Sequence, residues 1–288
     1  METRWLYVTS KEFETLREES RGVCVIPMGC VEKHGLHLPL GTDVIEAGGI
    51  AYEASKLETF TVFPDFTFGD YPLNGPARPA GSITLKLETE ILLLEELCEQ
   101  IAQNGYRIVC VYNHHGGNKE WLNAFARKMQ NKKHDFIFCF VNDIEAAPHV
   151  MAEILLEKGQ GSIPELTPED EAYLLECHEK KMRIGHACLA ETVKVMKFAP
   201  ESVHLDRLGI EDGNSRHYAD YLKEAGIRIA AGGWDINHPN NYCGDDPSGA
   251  NERIAEAAVR LEAEHLASAV RILKYDENLP KWHENYWL

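Results

Sequence analysis

Two short stretches of the sequence concentrate side chains that can bind a metal ion. The first is GCVEKHGLHLPLGTD, residues 29–43, in which the candidate ligands are Glu32, His34, His37 and Asp43. In extended backbone alternate side chains share a face, so Glu32 and His34 can point to the same place. Carboxylates mixed with imidazoles suit a divalent cation, and the segment therefore predicts a metal site.

Simpler roles for the same side chains stay open at the level of the sequence. Asp43 stands at the expected start of a helix, where a carboxylate can cap free backbone amides. A lone loop histidine such as His34 is often only hydrogen-bonded, and His37 is suited to orienting a metal ligand from behind. Four such groups in one loop nevertheless favour a common partner.

The second stretch is NHHGGN, residues 113–118, which also directly follows an apolar run. Its glycines would let the backbone approach a ligand closely, although a glycine turn with two incidental histidines has the same pattern. A third stretch, GHACLAETVKVM at 185–196, places His186 and Glu191 near the start of an amphipathic helix. By itself this third pattern is equally typical of an ordinary helix start.

Apolar runs of strand length alternate with amphipathic segments, which predicts a parallel sheet covered by helices. For 288 residues we expect one α/β domain, residues 1–288, with three α/β/α layers and a mainly parallel sheet. Since ligands bind outside the carboxyl ends of parallel strands, the metal-binding stretches should meet at one edge of the sheet. The predicted strands are 22–28, 59–69, 106–113, a buried strand at 135–142 and a late strand from about Ile227; the predicted helices are 43–57, 87–104, 119–130 and 251–275, with a helical excursion over the site at about 144–182.

Composition narrows the classes of partner. The net charge of -17, from 46 acidic and 29 basic residues, argues against a nucleic-acid partner because a phosphate backbone would be repelled. No apolar run approaches the roughly eighteen residues that span a bilayer, and METRWLYVTSKEF lacks the apolar part of a signal peptide. We therefore expect a cytoplasmic protein with no membrane partner. The eight scattered cysteines are expected to be free thiols, most of them buried.

The three stretches together resemble motifs of the creatininase family, the creatinine amidohydrolases and their relatives. In that family a strand is followed by a Glu-x-His-Gly-x-His-Leu-Pro-x-x-Thr-Asp loop, which is similar to the segment that starts at Glu32. The family's Asn-Gly-His-Gly-Gly-Asn is similar to NHHGGN, and its His-Ala-Gly-Glu-x-Glu-Thr-Ser is similar to HACLAETV. CGDDPSGANERIAEAA also resembles the Gly-Asp-Pro segment before the family's last helix. The resemblance spans about residues 20–270.

The resemblance implies a binuclear metal hydrolase on a parallel α/β sheet, usually assembled as a homohexamer. Carried over by position, Glu32 and His34 would bind different ions, which the ligand chemistry allows to be zinc, manganese or iron. Asp43 would bridge the two ions, and His115 would complete the first site. Two ions so placed activate a shared water molecule.

Departures from the family pattern affect the second site and the substrate. Creatininase proper has a glutamate two residues after the metal-binding histidine, where this chain has Gly117, and Glu191 is the expected replacement ligand. His186 matches the family's catalytic histidine. Gly185 stands where creatininase carries an acidic residue, which argues against creatinine as the substrate. His114 replaces a glycine of the second motif.

The expected reaction is attack of activated water on the carbonyl of an amide, cyclic amide or formamide in a small molecule, with His186 donating a proton to the leaving nitrogen. Ring-opening hydrolysis of a cyclic polyol ketone of the inosose type stays open. So do a metal-dependent lyase or isomerase and a non-catalytic metal-binding protein. Specificity residues are expected in 66–84 and 144–182, where loops can cover the metals.

Overall fold

The computed structural model describes residues 1–71, 79–229 and 233–286. A four-stranded sheet lies at its centre, in the order β2-β1-β3-β4, and every pair of neighbouring strands is parallel. The strands are β1 (Val23–Met28), β2 (Thr61–Val62), β3 (Ile108–Asn113) and β4 (Ile137–Asn142). The mainly parallel sheet expected from the alternating pattern is confirmed.

Helices cover both faces of this sheet. Apolar side chains alternate along β1, so that Val23 and Val25 pack on one face against α2 and α10, and Cys24 and Ile26 pack on the other against α3 and α4. This gives the expected three α/β/α layers. The helices are α1 (Ser10–Glu19), α2 (Thr42–Leu57), α3 (Leu87–Gln103), α4 (Asn118–Met129), α5 (Met151–Lys158), α6 (Pro168–Glu179), α7 (Leu189–Phe198), α8 (Asp220–Glu224), α9 (Gly233–Asn237), α10 (Glu252–Tyr275) and α11 (Asn278–Tyr286).

The second and fourth strands differ from their predictions. Within 59–69 the ladder is only two residues long, because Pro64 cannot donate a ladder hydrogen bond, and pairing resumes as a single bridge between Met28 and Phe66. The strand β4 is half-buried throughout, not buried as predicted, because it forms an edge of the sheet. An apolar run alone does not reveal how many neighbours a strand has.

The predicted late strand from Ile227 is wrong. Residues 227–229 belong to no strand, and the side chain of Ile227 is 51% exposed. The next three residues of the predicted strand, 230–232, lie outside the described residues, and Gly233–Asn237 forms the short helix α9. Ile227 and Ile229 are both exposed, so burial does not favour a strand there, and β4 pairs only with β3 among the described strands.

The segment 144–182 is helical as predicted. It was expected to cover the site, but most of it packs elsewhere. Its helices α5 and α6 pack with α7 and α10 in a third apolar cluster that includes Leu155, Leu174 and Leu189. Only Glu145 of this segment lines the central cavity. Among the described helices none is both long and apolar enough to cross a bilayer. All eight cysteines are free thiols, as expected.

Candidate metal centre

Strand register brings the predicted ligands together. Met28 pairs with Asn113, so β1 and β3 end side by side, and the two motif loops leave the sheet at the same edge. The loop after β1 must turn closely past the start of α2. Gly29 allows this, because a side-chain carbon there would lie 2.6 Å from the backbone of Asp43. The six predicted residues Glu32, His34, Asp43, His115, His186 and Glu191 therefore lie in one cluster.

One half of the cluster is built around His115. Its Nδ1 lies 2.8 Å from Oε1 of Glu32 and 3.0 Å from Oδ2 of Asp43. The other ring nitrogen, Nε2, donates a hydrogen bond to the backbone carbonyl of Asp70 at 2.8 Å. Since a neutral imidazole carries one proton, Nδ1 presents a lone pair to the two carboxylates, as a metal-binding histidine does.

The other half is built around His34. Its Nδ1 donates to the backbone carbonyl of Glu32 at 3.2 Å, which leaves Nε2 as the free lone pair. This Nε2 lies 2.8 Å from Oδ1 of Asp43 and 3.7 Å from Oε2 of Glu191. Asp43 therefore presents one carboxylate oxygen to each half, which is the arrangement that a bridging ligand requires.

His186 lies over the second half of the cluster. Its ring stacks on that of His34 with centroids 3.9 Å apart. Its Nε2 donates to the backbone carbonyl of Lys33 at 2.7 Å, and its Nδ1 lies 3.8 Å from Oε1 of Glu32. The backbone of His186 is held by an antiparallel bridge to Cys243. A ring so fixed offers one unprotonated nitrogen toward the site.

The buried polar atoms of the cluster are arranged so that cations could bind between them. Oε1 of Glu32, Nε2 of His34 and Oδ2 of Asp43 are buried and have no hydrogen-bond partner among the described residues. Buried polar atoms are normally satisfied, because leaving them without a partner costs on the order of 1–3 kcal/mol each. Lone pairs that face one another at such short range are satisfied by divalent ions placed between them. The donor set of nitrogen and oxygen atoms fits such ions.

The protonation of these groups shows how strongly they interact. Burial opposes charge on His34, but Asp43 and Glu191 outweigh it and raise the pKa of His34 to about 10. Burial, opposed by His34, raises the pKa of Glu191 to about 8. Burial and the neighbouring His34 lower the pKa of His186 to about 4. Shared protons thus hold the cluster together, and a bound metal ion would displace them.

Two alternatives from the sequence are decided by the contacts. Asp43 is not a helix cap: Gly41 is the N-cap residue of α2, and the Asp43 carboxylate faces the two histidines. His37 contacts no candidate ligand side chain directly. It donates to the backbone carbonyl of Ala187 at 3.0 Å, and the amide of Ala187 in turn donates to Glu191. His37 therefore holds the turn that carries Glu191.

A cavity of about 530 Å³ opens onto the cluster, and parts of its wall were missed by the sequence reasoning. Trp234 meets His186 edge-on with ring centroids 5.3 Å apart, and the buried Asp235 follows it. Both lie in the run that was interpreted as a strand, so no signal pointed to them. Asp70 and Tyr71 belong to the predicted specificity segment 66–84, of which 72–78 lie outside the described residues. Asp143 and Lys119 also line the cavity.

A buried ion cluster lies behind the wall of the cavity. Nζ of Lys194, on α7, lies 2.9 Å from Glu46 on α2, 3.3 Å from Asp143 after β4 and 3.6 Å from Glu262 on α10. All four side chains are almost fully buried. His114, which replaces a glycine of the family motif, contacts the same Glu46 carboxylate at 3.3 Å. The departure at this position therefore joins the loop at residues 113–118 to the ion cluster.

A parallel sheet that gathers carboxylates and imidazoles at the carboxyl ends of its strands is suited to binding divalent metal ions. The sequence model of the creatininase family, described as creatinine amidohydrolase, matches residues 7–270. The chain belongs to the creatininase family. The resemblance drawn from the three motifs is confirmed.

The individual relatives have low sequence identity to this chain. A mycofactocin precursor peptide peptidase from Mycolicibacterium smegmatis (strain ATCC 700084 / mc(2)155) is 29% identical over 179 residues, which are 58% of this chain and 71% of that protein. A crystal structure assigned as a creatinine amidohydrolase from Bacteroides fragilis NCTC 9343 has a TM-score of 0.69 at 22% identity, covering 96% of this chain and 98% of that one. A manganese creatininase has a TM-score of 0.68 at 18% identity, covering 96% and 100%. The structural likeness confirms the creatininase-like fold.

Proposed function

We propose that the protein is a binuclear metal-dependent amidohydrolase that cleaves the C–N bond of an amide, cyclic amide or formamide in a small molecule. The observation that carries the proposal is the placement of Asp43, which directs one oxygen to His34 and the other to His115. A carboxylate placed in this way can bind one cation through each of its two oxygens.

The proposed ligand sets follow from the two halves of the cluster. Glu32, Asp43 and His115 would hold one divalent ion, and His34, Asp43 and Glu191 the other. When bound, the two ions would activate a water molecule and polarise the substrate carbonyl that this water molecule attacks. Zinc, manganese and iron all accept this set of nitrogen and oxygen ligands, and one structural relative is a manganese creatininase.

His186 is the proposed proton carrier. Because its Nε2 proton is engaged by the carbonyl of Lys33, its Nδ1 is free to accept a proton as water attacks the carbonyl carbon. The same Nδ1 then gives that proton to the leaving nitrogen, so that the C–N bond breaks without releasing an amide anion. The ring returns to its neutral form at the end of the cycle.

Replacing His186 by Ala is expected to lower kcat by about 10²–10⁴-fold while leaving two ions bound. The reason is that the ring moves a proton and the two ligand sets are complete without it. Steady-state kinetics and elemental analysis of the same preparation check this. Because Nδ1 also lies near Glu32 and His34, loss of an ion from the variant would make His186 a ligand instead, and full turnover would remove it from the mechanism.

The cavity favours a small substrate that is rich in hydrogen-bond donors. Its volume of about 530 Å³ is within the range of small-molecule pockets. Among the described residues, its wall supplies the carboxylates of Asp70, Glu145 and Asp235 and a single lysine, Lys119. Oδ1 of Asp235 is buried and has no partner among the described residues. Such a wall also suits a cyclic polyol ketone, whose hydroxyl groups are all donors, and ring-opening hydrolysis is therefore the second candidate.

Replacing Asp235 by Asn is expected to lower kcat/KM by about 10–100-fold, mainly through KM, because a buried charged acceptor for a substrate donor is lost. Glu120 is the matched control. It also lines the cavity, but its side chain is 85% exposed, so Glu120→Gln should change kcat/KM by less than about twofold. Equal effects of both substitutions on kcat/KM would contradict a binding role for Asp235.

The proposal is tested by offering metal-analysed protein a panel of cyclic amides, formamides, short peptides and cyclic polyol ketones in ¹⁸O-labelled water. Product mass identifies the bond that is cleaved. Hydrolysis predicts one labelled oxygen in the new acid, whereas a lyase or isomerase would release unlabelled product. The peptides are included because one relative is a peptide peptidase.

Three broader expectations belong to the same proposal. We take residues 1–288 as one domain, since β1 and β3 share their apolar clusters with α10 near the end of the chain. A homohexamer is proposed from the family likeness, and we propose a location in the cytoplasm. Light scattering of the purified protein tests the hexamer.

A further inference from the structure

One buried thiol lies against the proposed metal centre and has no part in the ligand sets above. Cys30 precedes Glu32 by two residues in the loop after β1, and it is fully buried. Its Sγ, a carboxylate oxygen of Glu32 and a ring nitrogen of His115 all lie within 4.8 Å of one another. Three ligand atoms at that spacing fit around a single cation.

The present contacts of the thiol are weak. Sγ donates to the backbone carbonyl of Gly69 at 3.5 Å and lies 4.0 Å from that of Ile83, and a thiol is a weak donor at either distance. A side-chain carbon at Gly69 would lie 2.8 Å from Cβ of Cys30, so the Gly69 segment closes tightly over the thiol. Oε1 of Glu32, which shares the group with Sγ, is buried without a hydrogen-bond partner among the described residues. Packing therefore holds the sulfur close to an unsatisfied ligand atom.

We propose that Cys30 is a further ligand of the ion held by Glu32 and His115, an inference that rests on the proposed binuclear function. Binding forms a metal–sulfur bond and releases the thiol proton to solvent. A soft sulfur ligand favours zinc, cobalt and cadmium over manganese. Among the described residues, the position held by His34 and Glu191 offers only nitrogen and oxygen ligands, so the two positions differ in the ions that they prefer.

Cys188 provides a matched control for Cys30. It is equally buried and precedes Glu191 by three residues, so it is close in sequence to the other half of the cluster. Its Sγ, however, donates to the backbone carbonyl of Gly185 at 3.3 Å and belongs to none of the three possible ligand groups found among the described residues.

The test uses cobalt(II) as the probe in the full-length protein. Visible d–d bands report that cobalt is bound, and a near-ultraviolet charge-transfer band reports a cobalt–sulfur bond. We expect both in the wild type and in Cys188→Ser, and loss of the charge-transfer band alone in Cys30→Ser. Cys30→Ala serves as the second variant if Cys30→Ser does not fold. The ratio of cadmium affinity to manganese affinity should also fall by about tenfold or more in the Cys30 variants, since even groups that only support a ligand have effects of this size.

The possible results separate this inference from the proposed function. Wild-type protein with d–d bands but no charge-transfer band keeps the metal centre and overturns the role of Cys30. A charge-transfer band that survives in Cys30→Ser, or is lost in Cys188→Ser, also overturns it. Absence of both kinds of band in the wild type would count against the metal centre itself.

Discussion

Replacing Asp43 by Ala is expected to empty both metal positions at once and to lower kcat/KM by more than about a thousandfold. The reason is the geometry of its carboxylate, which lies 2.8 Å from Nε2 of His34 and 3.0 Å from Nδ1 of His115. Loss of either Glu32 or Glu191 removes a ligand from one position, whereas loss of Asp43 removes one from each. Elemental analysis after gel filtration measures the two positions together.

The matched control for Asp43 is Asp70, an aspartate on the wall of the same cavity. It supports His115 through its backbone carbonyl, which the substitution Asp70→Asn leaves in place. We therefore expect Asp70→Asn to keep its full metal content. A variant at Asp43 that retained two ions per chain would rule out the bridge, and equal losses in both variants would point to a general electrostatic effect.

Replacing Lys194 by Met is expected to lower the free energy of unfolding by about 3–5 kcal/mol, because one buried cation is shared by three buried carboxylates. Lys194 on α7 contacts Glu46 of α2 and Glu262 of α10, so the ion cluster joins three helices. Removing the ammonium group would leave these carboxylates buried without a counter-charge. Guanidinium unfolding of the metal-free protein gives the value.

Lys197 on the same helix provides the control for Lys194. It pairs with Glu256 on the surface, where ion pairs contribute about 0–1 kcal/mol, so Lys197→Met should cost no more than that. Equal destabilisation by the two lysine substitutions would show that the buried cluster has no special weight.

The loop at residues 29–43 could be predicted as a candidate metal site because its chemistry is local. Glu32 and His34 follow a buried strand, and Asp43 lies in the first turn of α2. His186 and Glu191 come from a distant segment, and only the family resemblance connected them to the loop. The sheet edge where they meet was predictable from the rule that ligands bind beyond the carboxyl ends of parallel strands.

Other features depend on contacts between distant segments and gave no local signal. Lys194 stands in an apolar helix face that is typical of simple packing, and its partners come from three other elements. Trp234 and Asp235 line the cavity. They lie in a run whose apolar residues predict a strand. The sequence neighbours of Cys30 leave a chemical role open for this thiol, but only the fold shows that Glu32 and His115 are its neighbours in space.

The most direct test of the binuclear proposal is a crystal structure of the metal-loaded protein with anomalous scattering recorded at the metal's absorption edge. We predict two peaks about 3.5–4 Å apart, one between Glu32 and His115 and one between His34 and Glu191, with the carboxylate of Asp43 bound to both. A single peak, or two peaks that share no ligand, would contradict the bridge and with it the proposed amidohydrolase mechanism.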